Sequence, residues 1–303
     1  MKNLIDFYLK NIVGRAEVKK PLEVVVDCSN GASGAVFGRL RIPQAKILLI
    51  NSKVDGNFPA HGPNPLEKGA LDDLRREILR RRADFGVAFD GDGDRVFFVD
   101  NKGRYLPSYI IAYLLSLVHK PPFVADVFTF KSIEYLGFLK NRKICQSRVG
   151  YYFMKQVAEK HKASFGAEWS NHYLFKETYY ADSGLLAVIK IMNVLSFLPY
   201  SLADFYDFAA PDFRGEQFNV RAKNPAAIMR KTRKIFGKKA SSVEKIDGWT
   251  FNFSGRGGSA SSGDGWFLIV RPSNTEPLVR FFIGAKKNEF NALRKEVIKR
   301  LGI

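Results

Sequence analysis

The sharpest chemical feature of the sequence is a loop in which Asp90, Asp92 and Asp94 alternate with glycines and precede Arg95. The loop follows an apolar segment typical of a strand, and glycine lets the backbone turn several carboxylates toward one centre. Neighbouring carboxylates repel one another, so a bound cation is the simplest relief, and oxygen ligands favour Mg²⁺ or Ca²⁺. An EF-hand does not fit, because Arg95 and Asn101 stand where its loop needs glycine and glutamate. A solvated acidic turn is the alternative.

A second segment suits an anion. Residues 271–277 have the sequence RPSNTEP, and a further arginine follows them. An arginine fork, two hydroxyl groups, an amide and the N–H groups of a loop can together cradle a phosphate. The candidate phosphate-binding residues are Arg271, Ser273, Asn274, Thr275 and Arg280. A polar turn between two strands is the alternative interpretation.

Two further groups of polar residues give weaker signals. Glu168, Ser170 and His172 alternate along the chain, so in an extended segment they would share one face and could bind sugar hydroxyls. Arg148 stands at a predicted strand-to-helix turn, where a cation beside a helix N-terminus suits an anionic ligand. A polar strand face and a surface arginine are the respective alternatives. His61, in a loop rich in Pro and Gly, is interpreted as solvated or structural.

The elements that must position these residues alternate along the first two thirds of the chain. Short apolar runs at 22–28, 45–50, 85–89 and 96–99 predict strands, and the 3-4 spacing of apolar residues predicts a helix over 66–82. A second series of the same kind follows, whereas the last hundred residues show strands joined by short turns. The pattern predicts two tandem α/β domains with mixed sheets of similar topology, followed by an α+β C-terminal domain with an antiparallel sheet.

Composition excludes several classes of protein. The 303 residues are 46% hydrophobic, which is too apolar for a disordered chain, and no apolar run reaches the roughly 18–20 residues that span a bilayer. Only Cys28 and Cys145 occur, so a disulfide framework is not expected and a cytoplasmic setting is. The net charge of +18 indicates an anionic partner. Basic runs at 75–82 and 230–239 raise nucleic acid as a partner, but solvated basic faces are the favoured interpretation.

Taken in order, these motifs resemble those of the α-D-phosphohexomutase family, the phosphomannomutases and phosphoglucomutases. Residues 90–95 match the family's metal loop D-G-D-G-D-R, and residues 271–277 match its phosphate loop R-x-S-[GN]-T-x-P. Residues 167–172 match in part its sugar-recognition loop G-E-x-S-G-H. Residues 24–34 and 55–65 resemble the opening of the family's second domain and its D-G-x-F-P loop. The resemblance extends over essentially the whole chain.

The resemblance implies a domain layout. Residues 1–104 would form the metal-binding domain, 105–208 the sugar-recognition domain and 209–303 the phosphate-binding domain, which are domains two, three and four of the family. The family's first domain carries a catalytic serine in a T-A-S-H-N-P-like loop, phosphorylated in the active enzyme. No Ser-His pair occurs in these 303 residues, so the resemblance implies that the sequence begins where the first domain ends.

The resemblance also implies a role for each candidate residue. Asp90, Asp92 and Asp94 would bind Mg²⁺, while Arg95 and Arg148 would act on the transferring phosphoryl group. The residues that would bind the phosphosugar are Glu168, Ser170, His172, Arg271, Ser273, Asn274, Thr275 and Arg280.

The sequence departs from the family pattern at three positions of these loops. Ala167 and Asn171 replace the two glycines of the sugar loop, and Tyr151 stands where many members have His or Asp. The expected function is a phosphohexomutase for glucose or mannose phosphates and a hexose bisphosphate. The chain would be inactive alone and would need a separate polypeptide with the phosphoserine domain. The alternative is a non-catalytic phosphosugar-binding relic, and the sugar preferred is left open.

Overall fold

The computed structural model describes residues 2–137, 142–254, 265–273 and 276–303. Its helices are α1 Lys2–Val13, α2 Ser33–Phe37, α3 Asp72–Arg81, α4 Ser108–Ser116, α5 Val127–Leu136, α6 Tyr151–His161, α7 Gly184–Phe197, α8 Leu202–Ala209, α9 Pro225–Phe236 and α10 Lys287–Leu301. Its strands are β1 Leu22–Asp27, β2 Ala45–Ile50, β3 Phe85–Phe89, β4 Val96–Asp100, β5 Tyr105–Leu106, β6 Phe123–Asp126, β7 Ile144–Ser147, β8 Phe165–Ala167, β9 Tyr173–Phe175, β10 Phe213–Arg221, β11 Ser242–Glu244, β12 Trp249–Ser254, β13 Gly265–Pro272 and β14 Leu278–Lys286.

The chain forms two compact units, and each is built from two separate stretches. The first unit contains Met1–Phe123 and Ala158–Ala209, and the second contains Val124–Val157 and Ala210–Ile303. Each unit has a sheet of five strands and a candidate site of its own, so each is described by itself.

The sheet of the first unit has the strand order β2-β1-β3-β4-β5. Strands β2 and β3 run parallel to β1, while β4 is antiparallel to β3 and β5 to β4. Because β1 and β3 are parallel neighbours, their carboxyl ends lie at the same edge, and the loops that follow them meet there. Every residue of β3 and β4 is buried.

Helix α3 covers one face of this sheet through Leu74 and Ile78, which belong to the same apolar cluster as Val25 and Phe97. The helix predicted over 66–82 is shorter than expected at its N-terminal side. Gly69 has φ +87°, which is incompatible with a right-handed helix, and the helix begins only after it.

The arginines of α3 are paired along the helix rather than free. Arg75 and Arg76 contact Asp72 and Asp73 three residues earlier, and Arg80 contacts Glu77 in the same way. This basic run is therefore a solvated face with local counter-charges, as the sequence interpretation favoured.

The sheet of the second unit has the order β10-β14-β13-β12-β11, and all its neighbouring strands are antiparallel. Helices α9 and α10 pack on one face, where Phe236 and Phe281 lie in one apolar cluster. Adjacent strand residues point to opposite faces. Phe282 accordingly stacks on Phe128 of α5, with ring centroids 5.1 Å apart.

Within the described ranges, no single helix is long and apolar enough to cross a membrane. Helices α7 and α8 reach that length and composition only as a pair, with a 90° bend between them.

Candidate active site

The loop after β3 is organised around Asp90, which is 1% exposed. One carboxylate oxygen accepts hydrogen bonds from the backbone N–H groups of Gly93 and Arg95, at 3.1 and 3.2 Å. The other accepts a 2.5 Å hydrogen bond from Nε of Arg95. Burial raises the pKa of Asp90; Arg95 opposes the increase, while Asp94 and Asp92 add to it. Asp90 thus holds the loop in shape and carries a charge that burial disfavours.

The three aspartates of this loop fit a hard cation. One oxygen from each of Asp90, Asp92 and Asp94 can be chosen so that all three lie within 4.8 Å of one another. Asp92 is exposed, so the group opens to solvent on one side. An all-carboxylate donor set is the chemistry that Mg²⁺ and Ca²⁺ prefer.

Two other loops fix the metal loop at its glycine, Gly91. Its carbonyl accepts a 3.0 Å hydrogen bond from the N–H of Ala32, and its N–H donates one of 3.0 Å to the carbonyl of Pro63. A Cβ atom added at Gly31 would lie 2.4 Å from the Gly91 oxygen. Glycine is therefore required at position 31, because the two backbones are in direct contact there.

His61 has a partner that the sequence interpretation did not identify. Its Nε2 atom lies 3.1 Å from Oδ2 of Asp27 at the end of β1, and Nδ2 of Asn51 donates to the same carboxylate. The hydrogen bond with Asp27 raises the pKa of His61. The loop that holds Gly91 through Pro63 is thereby tied to the sheet.

The sugar-loop candidates lie in a tight turn between β8 and β9, not in an extended strand. The turn nevertheless brings the three side chains together: Nδ1 of His172 lies 2.9 Å from Oγ of Ser170 and 3.2 Å from Oε2 of Glu168. Nε2 of His172 lies 3.3 Å from Oδ2 of Asp94. This histidine therefore connects the sugar loop with the metal loop.

Asn171 explains how the turn forms without the family's second glycine. Its φ is +69°, in the left-handed region that Asn tolerates better than most residues. Its side-chain amide donates a 3.1 Å hydrogen bond to the hydroxyl of Tyr105, and its backbone carbonyl oxygen accepts a 3.2 Å hydrogen bond from the N–H of Val96. The substitution is thus accommodated by the surrounding structure.

Asp182 lies beside these candidates and was not identified from the sequence. A donor atom from each of Asp94, His172 and Asp182 can be chosen so that all lie within 4.8 Å. Burial raises the pKa of Asp182 to about 6, and Glu168 and Asp94 add to the increase while His172 opposes it. Its Oδ1 atom is buried and has no hydrogen-bond partner among the described residues. No motif marks this residue, so no sequence signal could have found it.

In the second unit, two arginines face each other on neighbouring strands. Arg271 of β13 and Arg280 of β14 are direct cross-strand partners, a position where like charges destabilise a sheet. Arg271 is 4% exposed, and burial lowers its pKa. In the part of the chain that the structure describes, the Nε–H groups of both arginines are buried without an acceptor. Two buried donors and two like charges suit an oxyanion.

The remaining phosphate candidates are placed less completely. Oγ of Ser273 lies 3.5 Å from Nη2 of Arg280, while Asn274 and Thr275 lie outside the described residues. The guanidinium of Arg148 packs 4.1 Å from the ring centroid of Phe153, and its side chain is 48% exposed.

Three family models together match nearly the whole chain. Residues 5–103 match the phosphoglucomutase/phosphomannomutase alpha/beta/alpha domain II, residues 104–211 match alpha/beta/alpha domain III, and residues 218–300 match the C-terminal domain. The predicted fold class, two tandem α/β domains with mixed sheets and a C-terminal domain with an antiparallel sheet, is confirmed. The domain boundaries at 104 and 208 remain a prediction.

Individual relatives agree with this assignment. The phosphomannomutases of Escherichia coli K12 and Methanocaldococcus jannaschii are 28% and 32% identical, over 94% and 99% of this chain. The chain spans 63% and 65% of the length of these relatives. A phosphoglucomutase/phosphomannomutase family protein of Burkholderia thailandensis has the same fold, with a TM-score of 0.82 and 24% identity over 98% of this chain and 64% of its own. The resemblance in the motifs is therefore confirmed, and the chain belongs to the α-D-phosphohexomutase family of phosphoglucomutases and phosphomannomutases.

Proposed function

We propose that this chain handles hexose 1- and 6-phosphates in the intramolecular phosphoryl transfer typical of phosphohexomutases. The observation that carries the proposal is that this member of the family has both a carboxylate cluster joined to the polar sugar loop and a pair of arginines, Arg271 and Arg280, whose buried Nε–H groups have no acceptor among the described residues. Each would be a costly arrangement without a ligand, because buried or crowded charges need a counter-charge.

In the first unit, Asp90, Asp92 and Asp94 would hold Mg²⁺. A bound Mg²⁺ would offset the charge that develops on the transferring phosphoryl group. A solved fungal relative, the N-acetylphosphoglucosamine mutase of Aspergillus fumigatus, was obtained in complex with GlcNAc-6P and magnesium. Arg95, held by Asp90, would steady the phosphoryl group by charge and hydrogen bonding.

The remaining candidates would bind the substrate. Glu168, Ser170 and His172 offer an acceptor, a hydroxyl and an imidazole to sugar hydroxyls from one turn. In the second unit Arg271 and Arg280 would bind the phosphate that does not react. By resemblance to the family's phosphate loop, three further residues would bind the same phosphate: Ser273, Asn274 and Thr275. Arg148 keeps the role of a positioning cation or general acid for the transferring phosphoryl group.

In the family, the phosphoryl donor is a phosphoserine of the first domain, and none of the candidate residues named above matches it. We propose that a phosphoserine domain on a separate polypeptide provides it, and that the chain alone does not turn over. The test is to mix the purified chain with a polypeptide of about one domain's length, encoded upstream and carrying a T-A-S-H-N-P-like loop. We expect conversion of hexose 1-phosphate to 6-phosphate in the mixture only. The control is the same polypeptide with its loop serine changed to alanine, and no conversion in the intact mixture would contradict the proposal.

A non-catalytic phosphosugar-binding protein is the second candidate, favoured by Tyr151, which stands where many members have His or Asp. Asn171 argues less for decay, since its side chain and its backbone both make hydrogen bonds. Calorimetry with a hexose bisphosphate separates the two candidates. Binding without turnover in the presence of the donor polypeptide would support the relic, whereas turnover would exclude it.

A further inference from the structure

A buried carboxylate lies beside the arginine pair of the second unit. Asp247, in the turn between β11 and β12, is only 7% exposed. Its Oδ2 atom lies 2.9 Å from Nε of Arg271 and accepts a 3.1 Å hydrogen bond from the N–H of Val149. Its Oδ1 atom lies 3.8 Å from Nε of Arg148. The side chain of Asp247 therefore contacts both Arg271 and the turn that carries Arg148.

The backbone fixes this carboxylate in place. Gly248 follows it with φ +83°, and a Cβ atom added there would lie 2.2 Å from the carbonyl oxygen of Val270 and 2.9 Å from Cα of Arg271. Only glycine permits so close an approach together with that φ. The turn consequently packs directly against the end of β13, and Asp247 has little freedom to move away from Arg271.

The electrostatics of the arginine pair require such a group. Arg271 is buried and faces Arg280 across the strands, so it loses hydration and is repelled at the same time. Asp247 is the main charge that opposes the effect of burial on the pKa of Arg271, with a smaller contribution from Asp126. A buried charge without a partner is strongly destabilising.

The contact between Asp247 and Arg271 leaves the Nε–H of Arg271 available as a hydrogen-bond donor. Although the Nε atom of Arg271 lies within 2.9 Å of Asp247, its N–H is not directed at the carboxylate and has no acceptor among the described residues. Asp247 therefore attracts the guanidinium by charge and leaves that N–H for a second oxyanion.

We propose that Asp247 is a positioning residue of the phosphate site, which holds Arg271 and the Arg148 turn in the arrangement that receives a phosphate. The inference rests on the proposed function, because that function requires a phosphate on these arginines. The alternative is that Asp247 competes with phosphate for the arginine donors. Removing its charge would then free these donors, add net positive charge and increase the affinity for phosphate.

The test is the affinity of the Asp247→Asn variant for inorganic phosphate, measured by calorimetry. Asn keeps an acceptor for the N–H of Val149 and removes only the charge. We expect phosphate binding to be about 30-fold weaker, the low end of the loss when one partner of a buried charge pair is removed. Asp212→Asn, which removes the same charge from an exposed position in the same unit, should bind as the unchanged protein does.

The outcomes separate positioning from a structural role and from failure of the proposed function. Phosphate binding by Asp247→Asn that is unchanged or tighter would overturn the inference, even if its melting temperature falls. If the unchanged protein binds no phosphate, the proposed phosphate site fails and the inference with it. Where the Asn variant does not fold, Asp247→Ser, which also keeps an acceptor, is measured with the same expectation. A further readout is the Arg271 Nε–H resonance of the phosphate-bound protein, which should broaden or exchange faster without Asp247.

Discussion

The two compact units of this chain differ in charge and in the kind of site they carry. The first unit has 23 Lys and Arg against 20 Asp and Glu, while the second has 25 against 10. Of the net charge of +18, the first unit therefore carries +3 and the second +15. The first has a cluster of carboxylates and the second an opposed pair of arginines. The basic excess thus belongs to the unit with the phosphate candidates, although most of its charges lie on other surfaces.

Each site also contains a charge of the opposite sign. Arg95 donates to Asp90 among the carboxylates, and Asp247 contacts Arg271 among the arginines. The first contact is an aligned hydrogen bond, whereas the second is an ion pair in which the Nε–H of Arg271 has no acceptor within the described ranges. Each site therefore contains one residue that offsets part of its charge before a ligand binds. The charge that remains is negative in the first unit and positive in the second, so the first site favours a cation and the second an anion.

The largest effect is expected from removing the metal-site carboxylate that has the least structural role. Asp92 is exposed, whereas Asp90 also holds the loop. We expect Asp92→Asn to weaken Mg²⁺ binding by about 100-fold or more, since one of three charged ligands is lost. Its melting temperature without metal should be unchanged or higher, because a repulsion is removed. Calorimetry with Mg²⁺ and thermal unfolding measure the two effects.

A matched control for this variant is Asp73→Asn, which removes another exposed carboxylate, from α3. It should leave Mg²⁺ affinity unchanged. Equal Mg²⁺ affinities for Asp92→Asn and the unchanged protein would contradict the assignment of the metal site.

The second unit should respond most to Arg271→Lys. Lysine keeps the charge but loses the planar fork with its several donors. We expect phosphate affinity to fall at least tenfold, while Mg²⁺ affinity stays the same. Arg214→Lys, in the same unit but paired with Glu216, is the control. A loss of phosphate affinity as large in the control would show that general charge, not the fork, governs binding.

The comparison is sharpened by following both ligands in one experiment. Hydrogen exchange should slow near residues 90–95 when Mg²⁺ is added, and near 247–249 and 271–273 when phosphate is added. At 100 times its dissociation constant, either ligand stabilises its binding-competent state by about 2.7 kcal/mol. Protection of the first set by phosphate alone would contradict the division of roles between the two units.

Sequence reasoning found what is local in the chain. The candidate residues around Asp90 and Arg271 are each contained in six or seven consecutive positions, and apolar patterning predicted strands β1 to β4 of the first unit. Family membership and fold class are confirmed, while the roles of the site residues remain predictions. Helices α1 and α8 were missed, and the turn of the sugar loop was not foreseen because Asn171 adopts a left-handed backbone that depends on Tyr105.

What sequence reasoning could not find is made by long-range contacts. Three residues become significant only through partners elsewhere in the chain. Asp182 lies near His172 and Asp94, Asp247 contacts Arg271, and His61 contacts Asp27. Such a partner is set by strand order and turn packing, so no local pattern reveals it.

A smaller effect is expected at the sugar loop. Asn171→Ala should destabilise the protein by about 1–2 kcal/mol, since alanine pays the cost of the left-handed backbone and loses the hydrogen bond to Tyr105. Asn171→Gly, the family residue, loses the same hydrogen bond but tolerates the left-handed backbone, so it should be destabilised less than the Ala variant. Tyr105→Phe removes only the hydrogen bond and serves as the control. Denaturant unfolding measures all three, and an Ala variant as stable as the Gly variant would contradict the backbone explanation.

The smallest effect concerns the loop that supports the metal loop, and it depends on pH. The hydrogen bond with Asp27 raises the pKa of His61 above its unfolded value, which is about 6.5. The pair therefore contributes stability that is complete below that unfolded value and is lost as the pH rises through the raised folded value. We expect His61→Gln to lose on the order of 1 kcal/mol or less near pH 6, and the difference from the unchanged protein to shrink at alkaline pH. His161→Gln, at the end of α6 and without a carboxylate partner among the described residues, should show no such trend. A His61 variant whose deficit grows with pH would mean that Asp27 does not stabilise the protonated imidazole.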